Sequence, residues 1–138
     1  MEVTLLICDS AEALNGKLYI MGGGWNMLYA PQTPIRIALG ILIAVPWDET
    51  NQRREMRIEL VTSDGEQVQL NGQEVAANAE FDIGRPPGVK PGSTLNAPFA
   101  INFDGVMLDE GGYEFVVKIG DTIAARRPFQ VMSPPAGN

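Results

Sequence analysis

Histidine is absent from the 138-residue chain and cysteine occurs once, so most of the common catalytic chemistry is excluded. Without histidine, Ser–His and Cys–His nucleophiles cannot form, and zinc and copper lose their usual ligands. One cysteine cannot make an internal disulfide. Cys8 ends an apolar run and precedes Asp9, whose charge disfavours a thiolate, so we interpret it as a buried structural thiol.

Carboxylates are the remaining candidates for chemistry, since the chain has 17 Asp and Glu residues. The densest pairs, Asp48-Glu49 and Asp109-Glu110, lack the alternating ligand spacing of an EF-hand loop. Two carboxylates can hydrolyse a glycoside, but no pair stands out for that role. We therefore predict no enzyme, no cofactor and no metal site, and a hydrolase that uses carboxylates alone ranks third among the hypotheses.

Basic residues are also scarce, with 10 Lys and Arg and a formal net charge of −7. Such a chain repels phosphate backbones, so we predict no nucleic-acid partner. The longest apolar run, Ile37 to Pro46, is too short to span a bilayer, and no basic segment precedes Lys17 as in a signal peptide. We expect a cytoplasmic protein with no membrane partner.

Helical periodicity is almost absent. The one candidate is residues 9–16, where Asp9 or Ser10 can cap a single turn and Asn15-Gly16 can end it. This segment predicts a short connector helix.

Alternation with a period of two dominates the rest of the chain and predicts β-strands. Ile35 to Val45 is aliphatic at every odd position and mostly small at the even ones, which predicts one core face and one face that receives a close neighbour. The predicted strands are 2–8, 17–21, 35–45, 55–61, 67–70, 75–83, 95–103, 113–119 and 122–131. We predict an all-β fold, a two-sheet antiparallel β-sandwich of eight or nine strands in a single domain (1–132) with a flexible tail (133–138). A closed barrel is the alternative.

Two details refine this fold. The acidic, glycine-containing segment 108–112 leads directly into Tyr113 and an alternating strand, as in the tyrosine corner of immunoglobulin-like sandwiches. Pro98 cannot donate a ladder hydrogen bond, which indicates an edge position or a bulge. We therefore predict the immunoglobulin-like type of sandwich.

Gly22-Gly23-Gly24 lacks the Lys-Ser/Thr that completes a phosphate-binding loop, and no helix follows it. These glycines instead predict a bulge or sharp bend where backbone passes close to backbone.

Aromatic residues near loops mark the candidate binding site: Trp25, Tyr29 and Trp47, with Asp48 beside the last. Aromatics on sandwich loops can stack on sugars or anchor a protein partner, and they can equally cap the hydrophobic core.

Four stretches carry a family resemblance: residues 3–9 (VTLLICD), 16–25 (GKLYIMGGGW), 45–48 (VPWD) and 127–131 (RPFQV). In these the chain resembles an uncharacterised family of small bacterial and phage proteins over nearly its whole length. The resemblance implies a bacterial or bacteriophage source and no particular activity.

Two functional hypotheses follow. The first is a protein-interaction or assembly module that packs against copies of itself or another protein, which in a phage would suit a minor virion or capsid-associated protein. Its basis is the second apolar face of residues 35–45, together with the exposed edge near Pro98. The alternative is a module that binds a carbohydrate or small ligand on its loop aromatics.

Overall fold

A computed structural model describes residues 1–135 of the chain and contains eleven β-strands, with no α-helix among these residues. The strands are β1 (Glu2–Leu14), β2 (Lys17–Gly23), β3 (Met27–Tyr29), β4 (Ile35–Val45), β5 (Arg53–Thr62), β6 (Gln69–Leu70), β7 (Gln73–Glu74), β8 (Ala76–Asp82), β9 (Leu95–Val106), β10 (Gly111–Ile119) and β11 (Thr122–Met132). Nine of them form two sheets, in the orders β2-β1-β4-β9 and β3-β11-β10-β5-β8, and β6 pairs only with β7. The all-β prediction is confirmed. The short strand β3 was not predicted, and the predicted strand 67–70 is reduced to β6, which lies outside the two sheets.

The two sheets pack against each other over one hydrophobic core, because each strand turns alternate aliphatic residues inward. In β4 the odd positions Ile37, Leu39, Ile41, Ile43 and Val45 are all at most 1% exposed, as their alternation predicts. Phe115 of β10 is fully buried and stacks on Phe129 of the neighbouring strand β11 and on Phe103 of β9 in the opposite sheet.

The corner before β10 is closed by Tyr113, whose hydroxyl donates a hydrogen bond of 2.8 Å to the backbone oxygen of Asp109. In tyrosine corners the tyrosine hydroxyl bonds back to the backbone a few residues upstream in this way. Pairing is antiparallel throughout the two sheets except between β3 and β11, which run parallel. Pro98 lies on β9, an edge strand, as expected for a residue without a backbone N–H.

The β1–β2 hairpin folds back over the outer side of β4, so that one sheet curls into a half-barrel. Ile20 and Leu18 of β2 lie directly above Gly40, where an added Cβ would come within 2.7 Å of Ile20 Cδ1. The Asn102 side chain on β9 binds the backbone of Ala11 with both its amide nitrogen and its oxygen. The second apolar face predicted for β4 is therefore covered in large part by the chain itself.

The connector helix predicted for residues 9–16 is wrong. β1 continues as a strand to Leu14, and Asn15 and Gly16, both with positive φ, make the tight turn into β2. Asn-Gly is the preferred sequence of a two-residue hairpin loop, which outweighs the capping signals at Asp9 and Ser10.

At the C-terminus, Ser133 to Pro135 are exposed, and the last three residues of the predicted tail lie outside the described residues. Within residues 1–135 no helix has the length and apolar character needed to cross a membrane.

Candidate functional site

Trp25 lies where the chain crosses from one sheet to the other. Gly24 still donates its N–H to Ile7 in the first sheet, and Met27 pairs with Gln130 in the second. The indole of Trp25 packs edge-on against Phe129, with ring centroids 6.0 Å apart, and its Nε1 donates to Asp9 Oδ1. Trp25 thus covers part of the core, and the predicted bend at the three glycines is present, with positive φ at Gly22 and Gly24.

A cleft of about 240 Å³ opens beside Trp25, between the edges of the two sheets. Leu6, Gly24, Asn26, Arg127 and Pro128 line it together with the indole. Arg127 Nε donates to the backbone oxygen of Leu5 at 2.9 Å, which ties the two sheets together. Within residues 1–135 no carboxylate lies within 4.0 Å of this guanidinium.

Trp47 is held in a short 3₁₀ turn (Trp47–Glu49) between β4 and β5. The Arg85 guanidinium lies 3.8 Å above the indole and donates to both Trp47 O and Thr50 Oγ1. Arg85 thereby anchors the 84–93 loop on this turn, which is a structural role for Trp47. Asp48 is exposed beside it.

The structure separates these candidate residues into two groups. Tyr29 pairs with Met132 and lies at the same end of the fold as Trp25, whereas Trp47 precedes β5 at the opposite end. The ten residues of β5 span roughly 30 Å between the two ends. A single platform of Trp25, Tyr29 and Trp47 is therefore not formed, and the binding roles of the separate residues remain predictions.

Exposed apolar side chains concentrate instead on the first three strands. Within residues 1–135, six of the eight exposed large hydrophobic residues come from residues 6–29: Leu6, Leu14, Tyr19, Met21, Met27 and Tyr29. Tyr19 and Met21 alternate along β2 with Leu18 and Ile20, so the hairpin turns apolar side chains both toward β4 and toward solvent. We call Leu14, Tyr19 and Met21 the hairpin surface.

Sequence reasoning missed the hairpin surface, although a signal for it exists. None of the 17 acidic residues lies between Glu12 and Asp48, so the segment that carries the surface has no negative charge in a strongly acidic chain. Tyr19 and Met21 belong to a strand that is apolar at every position from 18 to 21, a pattern that is typical of central strands. Here the strand is at an edge.

The edge strands of the two main sheets differ in how well they are protected against pairing with a strand of another molecule. β8 carries Glu80 and Asp82, β9 carries Pro98, and β3 has only three residues. Charges, proline and short length are the usual ways to block an edge strand. β2 has seven residues, no proline and no acidic residue, and its one charge, Lys17, is at its first position.

Two ionisable side chains among the described residues, those of Cys8 and Glu59, are buried. Burial and the neighbouring Asp9 charge raise the pKa of the Cys8 thiol, which favours its protonated form. No cluster of three or more Cys, Asp or Glu side chains in residues 1–135 is placed to hold a metal ion. On the outer side of β5, Glu59 accepts hydrogen bonds from Lys118, Arg57 and Gln67, an ionic network within the fold.

The profile of a family of unknown function (DUF6941) matches residues 3–132, which is nearly the whole chain. The chain belongs to this family, and its resemblance to an uncharacterised family is confirmed. No protein among the curated sequences matches the chain.

Proposed function

We propose that this protein is a non-enzymatic protein-interaction module that binds through the hairpin surface. The observation that carries the proposal is the concentration of exposed apolar side chains on β1 to β3, with Met21 73% and Tyr19 50% exposed. Large apolar patches are uncommon on monomers and mark contact sites for other proteins. Tyr and Met are also among the residues enriched at interfaces.

The surroundings of the hairpin surface support a protein partner. Lys17 is its only neighbour of positive charge on β2, while Glu12 lies opposite Tyr19 and Ser10 opposite Met21 on β1. An apolar centre with a few polar groups at its margin is the usual composition of a protein interface. Leu18 and Ile20 pack on β4, which orients the side chains on the outer face of β2 before binding.

Lysine substitution of both Tyr19 and Met21 is expected to abolish association. Each lysine removes a large apolar side chain from the contact, and lysine on an edge strand opposes pairing, so we expect affinity to fall at least about a hundredfold. The protein is purified from its own source cells together with any bound partner. Its native mass is then measured by light scattering after size exclusion. The monomer has a mass of 14.9 kDa.

Met107→Lys/Ile123→Lys is the matched control, because these residues are 40% and 43% exposed and lie outside the hairpin surface. The control should associate as the wild type does. A wild-type protein that is a monodisperse monomer and brings no partner would contradict the proposal, as would equal loss of association in both double variants.

We assign the fold, as part of the same proposal, to the immunoglobulin-like sandwiches. The Tyr113–Asp109 hydrogen bond at the corner between β9 and β10 supports this assignment. The single thiol agrees with a reducing compartment, so we place the module in the cytoplasm, or in a virion if a phage encodes it.

A second candidate function is the binding of a small carboxylate ligand in the cleft beside Trp25. The observation that favours it is Arg127, which has no carboxylate partner among the described residues and faces the cleft with an indole and a proline. Arginine binds carboxylates with paired hydrogen bonds, and the indole would supply apolar contact.

Arg127→Gln is expected to weaken binding of succinate, as a probe carboxylate, about tenfold or more, since hydrogen bonds to charged groups contribute about 1.5–3 kcal/mol. Tryptophan fluorescence in a Trp47→Phe background reports on Trp25 alone. Arg126→Gln is the control, because Arg126 is already paired with Glu114. No fluorescence change with succinate, or equal affinities in the two arginine variants, would exclude this candidate.

A further inference from the structure

The open edge of β2 indicates which partner the hairpin surface takes. Within residues 1–135, β8 and β9 carry acidic residues or proline, β3 is only three residues long, and the part of β11 that β3 leaves unpaired carries Arg126, Arg127 and Pro128. β2 contains no acidic residue and no proline, and its one charge, Lys17, is at its first position. An exposed strand edge of this kind is completed by another strand. Resting on the proposed function, we propose that the partner is a second copy of this chain, whose β2 pairs antiparallel with β2 across a twofold axis.

The position of the twofold axis along β2 sets the register of this pairing. The strand runs from Lys17 to Gly23, so its midpoint is Ile20. An axis at Ile20 centres the pairing on the strand and sets Tyr19 of each chain opposite Met21 of the other, with Lys17 and Leu18 facing the bend at Gly22-Gly23. Axes at neighbouring residues leave part of each strand unpaired and set Tyr19 against itself or Met21 against itself.

The contacts across the axis are complementary in shape and charge. On the outer face the Tyr19 ring of one chain contacts the Met21 thioether of the other. The twofold axis repeats this favourable contact, so that it occurs twice. Lys17 meets Gly23 of the other chain, where no side chain obstructs it and no second lysine repels it. Because β2 contains no acidic residue, no carboxylate on either β2 strand opposes the approach of two chains of net charge −7.

The pairing joins two four-stranded sheets into one of eight strands and removes both open edges. Tyr19 and Met21 lie on the solvent side of this joined sheet, opposite to the side on which Ile20 and Leu18 pack against Gly40. The hairpin surfaces of the two chains thereby become one continuous patch at the centre of the dimer. An isologous interface of this type closes at two chains.

Disulfide trapping tests the register. In a Cys8→Ala background, Tyr19→Cys and Met21→Cys are made in separate chains, mixed, and oxidised with glutathione disulfide. Directly opposite residues have Cα atoms about 5 Å apart, within reach of a disulfide, whereas two copies of position 19, or two copies of position 21, are diagonal neighbours at about 7–8 Å. We expect the mixture to form covalent dimer at least about tenfold faster than either variant alone.

Equal rates in the mixture and in the separate variants would overturn the register. The unmodified protein supplies a second measurement that needs no substitution. On raising the concentration through dimerisation, amide hydrogen exchange should slow in β2 and stay unchanged in β8 and β9. Slowing in β8 or β9 instead of β2, or none in any edge strand, would overturn the second copy as the partner.

These results separate the two proposals. A monomer that loses a different protein partner on Tyr19→Lys/Met21→Lys substitution overturns β2–β2 pairing and supports the interaction module. A protein that neither self-associates nor binds a partner through the hairpin surface overturns both.

Discussion

Gly40→Val is expected to lift the β1–β2 hairpin and to make Cys8 react with thiol reagents roughly 10- to 100-fold faster than in the wild type. A Cβ at position 40 already comes within 2.7 Å of Ile20 and 3.3 Å of Leu18, and valine adds two further methyl groups. Overpacking of this kind costs about 1–3 kcal/mol, which favours local opening of the hairpin. Cys8 is fully buried beneath it and becomes accessible on opening.

The measurement is the rate at which an aromatic disulfide reagent modifies Cys8. Circular dichroism checks that the variant is folded under the same conditions. Ala44→Val is the matched control, because it enlarges another outward position of the same strand away from the hairpin. Gly40→Ala should have a small effect, since the nearest atoms belong to the end of the Ile20 side chain, which can rotate. A Cys8 that stays inert in Gly40→Val would mean that the hairpin tolerates the added volume.

The same packing explains how far the sequence predicted the fold. Alternation in β4 predicted both its core face and a second face that receives a neighbour, and both are present. The neighbour is β2 of the same chain rather than another molecule, which no local pattern specifies. Long-range contacts such as Ala11 with Asn102 decide that the hairpin folds over the sheet.

The candidate site was harder to predict, because long-range packing decides which apolar side chains stay exposed. Trp25 and Trp47 are conspicuous in the sequence, yet the first packs on Phe129 and the second holds Arg85. Tyr19 and Met21 are exposed because the opposite face of β2 already packs on β4. A strand with two apolar faces is central in most sheets, and the sequence alone does not say which face remains uncovered.

Glu59→Gln is expected to destabilise the fold by about 2–3 kcal/mol at neutral pH. The Glu59 side chain is 8% exposed, and its oxygens accept hydrogen bonds from Lys118 at 2.8 Å and Gln67 at 3.0 Å, with Arg57 at 3.2 Å. Glutamine replaces one carboxylate oxygen by an NH₂ group. This group is a donor, so it cannot accept the hydrogen bonds that Lys118 and Arg57 donate. The hydrogen bond from Lys118 lowers the pKa of Glu59 against the opposing effect of burial, and Arg57 adds to the lowering.

Because folding lowers the pKa of Glu59, the stability that this carboxylate contributes depends on pH. A carboxyl whose pKa is lower in the folded state stabilises the fold fully above its ordinary pKa of 4.5. That stabilisation disappears as the pH falls through the lower, folded-state pKa. Denaturant unfolding of the wild type between neutral and acidic pH should therefore show a loss of stability below the ordinary Glu pKa that is smaller in Glu59→Gln.

Glu55→Gln, an exposed position on the same strand, separates the buried network from the general charge of the chain. The net charge is −7, so neutralising any carboxylate reduces repulsion slightly, and both variants share that benefit. Glu59→Gln differs because it also removes a carboxylate charge that is paired with Lys118 and Arg57 and hydrogen-bonded to Gln67. If the two variants have the same stability at neutral pH and the same slope in acid, the outer face of β5 is held by Val61 and Val116 rather than by its ion pairs.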